Sequence, residues 1–238
     1  MIYTTSDLHG YPLDSFLRML EQAGFGDADT LYVLGDVIDR NGDGGVAMLR
    51  WIMSRPNVRF ILGNHEAMLL SCGFLYDGID DGEETELLDP DRLHALMRWM
   101  RNGCEPTLQT LQELKEKNPE ALQELLSFLE KAPLYAKVST CGREFVLVHS
   151  GFENFSPERS LDDYEPDELL WYRPYAEERF YSDKMTIFGH TPTGYRFGTA
   201  GKMFLTETWA DIDVGAAGGK APMLLRLDDM KEFYADDE

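Results

Sequence analysis

The first 70 residues alternate between short apolar runs and apolar residues at helical spacing, and this alternation restricts the possible folds more than any other feature. The apolar runs are residues 1–5, 31–34 and 58–62, and each has the length of a buried strand. Helical patterns follow them, beginning near Leu13, Val46 and Asn64. Alternating strands and helices predict an α/β architecture.

A polar corner follows each of these strands. The corners read SDLHG from Ser6, GDVIDR from Gly35 and GNHE from Gly63. Open α/β sheets place their binding sites at the carboxyl ends of the strands, so the three corners predict a functional site at that edge.

The length of the chain and its hydrophobic pattern predict one domain with a helical insertion. At 238 residues, a single α/β domain spanning residues 1–238 is ordinary. From about residue 73 to residue 133, an acidic, glycine-containing stretch at 77–86 precedes three apolar stripes at helical spacing. We expect the stripes to face a core, so that the insertion packs beside the main sheets. The stripes are Leu93, Leu96, Met97 and Met100; Leu108, Leu111 and Leu114; and Leu122, Leu125, Leu126 and Leu129.

The second half is rich in strand patterns. Residues 135–140 and 144–148 are separated by a Cys-Gly-Arg turn and predict a hairpin. Further strands are expected at 185–188, around Tyr195, around Phe204 and at 223–227. Together they suggest a second sheet packed on the first. The predicted fold class is α/β, a two-sheet β-sandwich flanked by helices, with the helical insertion beside it.

Composition limits the partners and the compartment. The formal net charge is −21, and no Lys/Arg cluster is long enough to follow a phosphate backbone, which argues against nucleic acid. No window approaches the roughly 18 apolar residues of a membrane span, and the N-terminus shows no signal-peptide pattern. The 3 widely spaced cysteines argue against a disulfide framework and predict a reducing, cytoplasmic compartment. An anionic substrate would be repelled unless its site were locally positive.

Two further polar clusters follow strand patterns in the second half, VHSG from Val148 and FGHTP from Phe188. Four of the 5 histidines therefore stand at strand ends, with three aspartates and one asparagine at equivalent positions. One such histidine is more often structural, but the set predicts a metal centre. Carboxylate, imidazole and amide ligands without cysteine suit Mn, Fe, Zn or Mg better than a structural zinc site. The residues are His9, His65, His149 and His190, with Asp7, Asp36, Asp39 and Asn64.

In their order, the motifs resemble those of the calcineurin-like metallophosphoesterases, and more narrowly those of the bacterial phosphoprotein phosphatase (serine/threonine protein phosphatase) branch. The series is Asp7-Leu8-His9-Gly10, Gly35-Asp36-Val37-Ile38-Asp39-Arg40, Gly63-Asn64-His65-Glu66, His149-Ser150-Gly151 and Gly189-His190-Thr191. The stretch DIDVGAAGGK at 211–220 resembles the strand and turn that usually follow in that family. One such motif is weak, but five in order make the resemblance specific.

The resemblance implies a binuclear metal centre. Two divalent ions would activate a bridging hydroxide that attacks phosphorus directly. The preferred metal is Mn²⁺, with Fe, Zn or Mg as alternatives. Asp36 would bridge the two ions. By the same resemblance, the first ion binds Asp7 and His9, and the second binds Asn64, His149 and His190.

The resemblance also implies roles for four residues outside the ligand set. His65 would be the general acid that protonates the leaving alkoxide, held and kept charged by Asp39. Arg40 and Arg173 would bind the phosphate oxygens. Two dications, two ligand aspartates and two arginines sum to about +4 at the site. An acidic protein could thus have a positively charged site for an anionic substrate.

Three functions are compatible with these residues. A serine/threonine protein phosphatase, acting on a phosphorylated protein or a small phosphoester, is the preferred prediction. Symmetrical hydrolysis of dinucleoside polyphosphates, the activity of a diadenosine tetraphosphatase, is the alternative, since family members perform it with the same motifs. A non-catalytic metal-binding scaffold is the third, but it leaves His65 and Asp39 without a purpose. The insertion and the loops around Arg173 are where the two enzymes would differ.

Overall fold

A computed structural model describes residues 1–76, 89–199 and 201–235. The strands are Ile2–Thr5 (β1), Thr30–Val33 (β2), Val58–Phe60 (β3), Tyr135–Thr140 (β4), Arg143–Val148 (β5), Met185–Phe188 (β6), Phe204–Leu205 (β7), Trp209–Asp211 (β8), Met223–Arg226 (β9) and Lys231–Tyr234 (β10). The α-helices are Leu13–Gln22 (α1), Val46–Ser54 (α2), Asn64–Ser71 (α3), Pro90–Arg101 (α4), Glu105–Lys117 (α5), Pro119–Glu130 (α6), Pro166–Leu170 (α7) and Thr193–Arg196 (α8).

The strands form two mixed sheets. The first has the order β10-β9-β1-β2-β3, and the second has the order β4-β5-β6-β8-β7. A buried apolar cluster joins them: Leu34 and Leu225 from the first sheet's side pack with Leu147 and Ile187 of the second. The predicted fold class, two sheets flanked by helices, is confirmed, and so is the β4–β5 hairpin.

Helices cover the outer face of the first sheet. Phe16 of α1, Leu49 of α2, Leu111 of α5 and Leu125 of α6 lie in one buried cluster with Tyr3 of β1. The helices of the insertion therefore share a core with the helices of the main sheet. We retain as a proposal that residues 1–238 form one domain, with residues 73–133 as its helical insertion.

Parallel pairing brings the polar corners to one edge. Strands β1, β2 and β3 are parallel to each other, and β5 is parallel to β6. The backbone N–H of His9 donates to the carbonyl of Asp36 at 2.9 Å, which joins the first two corners. The N–H of Gly189 donates to the carbonyl of His149 at 2.8 Å, which joins the two corners of the second sheet. In each sheet, a backbone hydrogen bond thus joins two of the corners.

Two expectations about local structure are wrong. Tyr195 lies in helix α8 and not in a strand, because Pro192 begins a turn in which the N–H of Arg196 donates to the Pro192 carbonyl. Three of the four residues of the α4 stripe do not face the core: Leu93, Met97 and Met100 are 47%, 40% and 50% exposed, whereas Leu96 is half-buried against it. Helix α4 instead buries Trp99, which has a polar partner described below.

The remaining comparisons with the sequence concern two strands, the acidic stretch and a membrane span. The C-terminal strand β10 was not predicted, and the short strand β8 ends at Asp211, where the resemblance implied a strand; both complete sheets that the sequence predicted. The acidic stretch at 77–86 lies outside the described residues. Among the described residues, no helix is long and apolar enough to cross a membrane.

Candidate metal centre

The corners after the strands adopt an unusual backbone conformation. Within the described chain, nine non-glycine residues have positive φ, and six of them are predicted site residues. These six are Asp7, His9, Asp36, Asp39, Arg40 and His190, with φ between 41 and 74°. Left-handed conformations are costly for non-glycine residues and concentrate at functional sites. The corners therefore have a conformation that turns these side chains toward one point.

Asp36 lies at that point. Its carboxylate oxygens are 3.6 Å from Nε2 of His9, 3.8 Å from Nε2 of His65 and 3.4 Å from Nε2 of His149. Asp7 joins on the same side as His9, with 3.8 Å between its Oδ1 and His9 Nε2. Two sets of side chains in the described residues have the geometry to hold a cation, and Asp36 belongs to both: His9, Asp36 and His65, and Asp36, His149 and His190.

Hydrogen bonds set the tautomers of two histidines. Nδ1 of His9 lies 3.0 Å from the carbonyl oxygen of Ile38, and Nδ1 of His149 lies 2.7 Å from that of Leu34. Since a carbonyl accepts only, each Nδ1 carries the proton. Burial lowers the pKa of both rings, that of His9 to about 3, so both are neutral at neutral pH. Their Nε2 lone pairs face Asp36, which is the state in which imidazole binds metal.

Asn64 provides a test of whether a cation fits. Its Oδ1 lies 2.9 Å from His149 Nε2 and 2.8 Å from His190 Nδ1. The neutral His149 ring has no proton on Nε2, so two lone pairs face each other at that distance. Two cis ligands of one octahedral ion at about 2.1 Å are separated by about 3.0 Å. The spacing suits a shared cation, which would remove the repulsion. His190 Nε2, which is buried, also has no hydrogen-bond partner within the described ranges.

The site holds more buried negative charge than the protein itself neutralises. Burial, then the charges of Asp7 and Glu66, raise the pKa of Asp36 well above its usual value. Burial likewise raises the pKa of Glu66 to about 7, although backbone donors oppose the shift. Divalent cations would offset this charge, so the residues present fit the metal centre that the family pattern implies.

Glu66 holds the corner after β2 in place. Its carboxylate accepts backbone N–H groups from Asp36 at 2.9 Å, from Val37 at 2.8 Å and from Ile38 at 3.2 Å, and from Gly63 at 3.1 Å. It therefore fixes the loop that carries Asp36. The sequence placed Glu66 in the first turn of a helix, where an acidic residue is favoured anyway, so its loop-holding role was not predicted.

His65 points its two ring nitrogens at different partners. Nδ1 lies 2.6 Å from Asp39 Oδ2, and Nε2 lies 3.3 Å from Arg40 Nη2. An arginine can only donate, so Nε2 accepts and Nδ1 carries the proton that is donated to Asp39. Burial and then Arg40 lower the pKa of His65 well below its usual value, while burial raises that of Asp39 to about 7. Burial and Arg40 thus oppose the charged ring that the resemblance implied, and the role of His65 as general acid stays a prediction.

A cleft of about 220 Å³ opens onto these residues. Both predicted phosphate-binding arginines, Arg40 and Arg173, line it, and both are exposed. Arg173 donates from Nη1 to Thr191 Oγ1 at 3.2 Å, beside His190. The geometry thus brings two cationic forks to the cleft that contains the candidate ligands.

Some residues at the site were not predicted. Asp39 accepts hydrogen bonds from Trp99 and Thr107 of the helical insertion. Asp213 is buried and lines the cleft. It stands in the DIDVG stretch at 211–215, which the motif series already marked. No short-range sequence pattern could have predicted the roles of Trp99 and Thr107, since they lie 60 and 68 residues from Asp39 in the chain.

Curated relatives match part of the chain. Symmetrical bis(5'-nucleosyl)-tetraphosphatases of Yersinia pestis (strain Pestoides F) and Yersinia pseudotuberculosis (serotype O:1b, strain IP 31758) are each 37% identical to it over 119 residues. The matched region covers 48% of this chain and 39% of each relative. The chain thus aligns with less than half the length of these relatives.

Solved structures share the fold over nearly the whole chain. A putative diadenosine tetraphosphatase has a TM-score of 0.62 at 17% identity, covering 98% of this chain and 91% of its own. A serine/threonine phosphatase from Saccharomyces cerevisiae has a TM-score of 0.59 at 15% identity, covering 100% and 80%. The family model described as calcineurin-like phosphoesterase matches residues 1–214, a range that includes every motif of the series. The chain belongs to the calcineurin-like phosphoesterase family.

Proposed function

We propose that the chain is a metal-dependent phosphoesterase with a binuclear centre. The observation that carries the proposal is the position of Asp36, whose carboxylate belongs to both sets of side chains that can hold a cation. In the first set Asp7, which lies 3.8 Å from His9 Nε2, would take the place of His65 and hold one ion with His9 and Asp36. Asp36 with Asn64, His149 and His190 would hold the other, with Mn²⁺ as the first choice. The bound cations would supply positive charge to the phosphoryl group and lower the pKa of a bound water.

The chain's own cations bind the substrate. Arg40 and Arg173 line the cleft from two different loops, and each guanidinium offers a planar fork to phosphate oxygens. Arg173 is exposed and donates to Thr191, a neutral partner. Two forks fix the orientation of the phosphoryl group.

His65 donates the proton to the leaving oxygen. In the substrate-free site its Nε2 accepts from Arg40 at 3.3 Å, and that bond favours the neutral ring. A phosphate on Arg40 withdraws the guanidinium and adds negative charge beside the imidazole. Both changes favour protonation of Nε2, while Asp39 holds Nδ1 at 2.6 Å. In this proposal the His65 ring is protonated when the phosphate is bound.

Serine and threonine phosphates in proteins are the proposed substrates. Their alkoxide leaving groups do not depart at neutral pH without a proton, so a buried proton donor serves them most. A second candidate is the symmetrical cleavage of dinucleoside polyphosphates. It is favoured by the 37% identity to relatives that are named for that activity. A metal-binding scaffold without catalysis gives the His65–Asp39 pair no function.

The compartment is part of the same proposal. Cys72, Cys104 and Cys141 are all free thiols, and the first two are buried. This supports a reducing environment and with it a cytoplasmic location.

A parallel activity screen tests the proposal. Mn²⁺-loaded protein is assayed on phosphoserine and phosphothreonine peptides and on diadenosine tetraphosphate, with chelator-treated protein as the control. We expect metal-dependent release of phosphate from the peptides. Faster turnover of diadenosine tetraphosphate would move the assignment to the second candidate. Fully loaded protein that hydrolyses none of these substrates would overturn the enzyme proposal.

A further inference from the structure

The carboxylate of Asp39 accepts three side-chain hydrogen bonds, and two of them come from the helical insertion. Oδ2 is shared by His65 Nδ1 at 2.6 Å and Trp99 Nε1 at 2.8 Å. Oδ1 accepts from Thr107 Oγ1 at 2.6 Å. All four residues are buried. The pair that the proposed mechanism uses is therefore part of a four-residue network.

The two insertion residues can hold Asp39 in one orientation. The indole N–H of Trp99 is a donor only, so it fixes Oδ2 beside His65. The Thr107 hydroxyl accepts from the backbone N–H of Asp39 at 2.9 Å while it donates to Oδ1 of the same residue. The carbonyl of Gly44, at 3.2 Å, competes for that single hydroxyl proton at a longer distance. Thr107 thus clamps both the backbone and the carboxylate of Asp39.

The insertion reaches Asp39 because the contact surface lacks side chains. A Cβ on Gly44 would lie 2.3 Å from the Cα of Thr107, and Gly44 has φ of +68°. The carbonyl of Gly103, at the turn between α4 and α5, accepts the backbone N–H of Arg40 at 2.9 Å. The same turn therefore supports the neighbouring left-handed residues Asp39 and Arg40. Helices α4 and α5 are joined to the site by specific polar contacts as well as by apolar packing.

We propose that Trp99 and Thr107 are positioning residues, which fix Asp39 from the helical insertion and through it aim the imidazole of His65. This inference rests on the proposed function for its kinetic consequences, but its structural consequence is independent of catalysis. Without the Thr107 hydroxyl, Asp39 loses the donor to Oδ1 and the nearer of two acceptors of its own N–H, the other being the Gly44 carbonyl at 3.2 Å. The carboxylate then rotates more freely, and the proton donor spends less time aimed at the leaving oxygen.

Isosteric variants separate hydrogen bonding from packing. Thr107→Val keeps the shape and removes the hydroxyl, Thr107→Ser keeps the hydroxyl, and Trp99→Phe keeps a ring without the N–H. The matched controls are Thr186→Val and Trp51→Phe, since Thr186 Oγ1 and Trp51 Nε1 have no hydrogen-bond partner among the residues that the structure describes. The controls thus remove the same chemical groups where those groups make no bond.

The first readout is the dependence on the leaving group. Thr107→Val should lower kcat on a phosphoserine peptide by about tenfold, with KM and metal content unchanged. It should lower kcat on p-nitrophenyl phosphate by less. Thr107→Ser should restore the rate, the two controls should match the parent, and Thr107→Val should add no further loss to His65→Asn. Equal losses on both esters, or full additivity with His65→Asn, would overturn the proposal.

The second readout does not require catalysis. The proton on His65 Nδ1, in a 2.6 Å hydrogen bond to a carboxylate, should resonate far downfield in the NMR spectrum of the full chain, both metal-free and with Mg²⁺. Thr107→Val and Trp99→Phe should shift or broaden this resonance, and the controls should not. If the parent protein hydrolyses no phosphoester, the proposed function fails. The NMR spectrum still tests the positioning role of Trp99 and Thr107 in that case. Unchanged His65 resonances in folded Thr107→Val protein would overturn the positioning role.

Discussion

The strand corners and the helical insertion contribute to the site in opposite ways. The corners present side chains from strained backbone, with Asp7, Asp36 and His190 among the left-handed residues. The insertion presents Trp99 and Thr107 from ordinary helices α4 and α5. The corner residues surround the place where cations fit, and the insertion residues surround Asp39. Chemistry at the metal and orientation of the proton donor are thus assigned to different parts of the chain.

This difference determines which substitutions disturb the loops and the metal ligands and which disturb only the orientation of a side chain. A corner side chain is bound to a backbone conformation that few residues adopt, so its replacement affects both the ligand and the loop. An insertion side chain contacts Asp39 only through hydrogen bonds, so we expect its replacement by an isostere to affect the orientation of Asp39 and not the metal ligands. We expect metal content to follow the corners and leaving-group dependence to follow the insertion.

The largest effect is expected for Asp36→Asn, which tests the corners alone. Asp36 belongs to both sets of ligands, so its neutral replacement should lose both ions. Activity should fall by about 10⁴-fold or more, because the charge and the activated water disappear together. His9→Ala should chiefly weaken the first ion. Elemental analysis of purified protein measures this.

Asp29→Asn is the matched control, since Asp29 is buried but binds the N-terminal ammonium at 2.6 Å and lies outside both ligand sets. It should keep two ions. Two tightly bound ions and full activity in Asp36→Asn would remove Asp36 from the bridging role.

A smaller and more selective effect is expected for His65→Asn, at the junction of the two regions. Acid catalysis contributes about 10²- to 10⁴-fold, so kcat on a phosphoserine peptide should fall within that range. It should fall clearly less on p-nitrophenyl phosphate, because nitrophenolate departs without a proton. Asp39→Asn should show the same bias in weaker form, and both variants should keep two ions. Equal losses on the two esters would assign His65 to metal binding or phosphate positioning.

A smaller effect than that of His65→Asn is expected for Arg173→Ala, which lies outside both regions. The guanidinium lines the cleft and should bind phosphate oxygens, so turnover should fall by about 10- to 100-fold. Inhibition by inorganic phosphate should weaken while metal content stays constant. Arg179→Ala is the control, because Arg179 hydrogen-bonds nearby carbonyls and pairs with Glu207 at the surface. Unaltered phosphate inhibition would make Arg173 an ordinary surface arginine.

The sequence predicted the corners because their positions follow from strand pairing. Asp7, Asp36 and Asn64 each lie in the corner that follows a strand, and parallel strands end at a common edge. No knowledge of packing was needed to expect them together. The same rule led from β5 and β6 to His149 and His190.

The insertion could not be read in the same way. Apolar spacing predicted that Leu93, Met97 and Met100 face the core, but α4 turns Trp99 inward to reach Asp39. The rotation of a helix about its axis is set by partners that lie far away in the chain, and here the partner is 60 residues distant. Spacing within one helix does not contain that information. The lowered pKa of His65 could not be derived from spacing either, since it comes from burial and from Arg40.

We propose that the corners of two sheets form one centre for two cations around Asp36. Anomalous diffraction from crystals grown with Mn²⁺ tests it most directly. We predict two anomalous peaks about 4 Å apart, one contacting Asp7 and His9 and the other contacting Asn64, His149 and His190, with the carboxylate of Asp36 touching both. A single peak, or two peaks that do not share Asp36, would contradict the account.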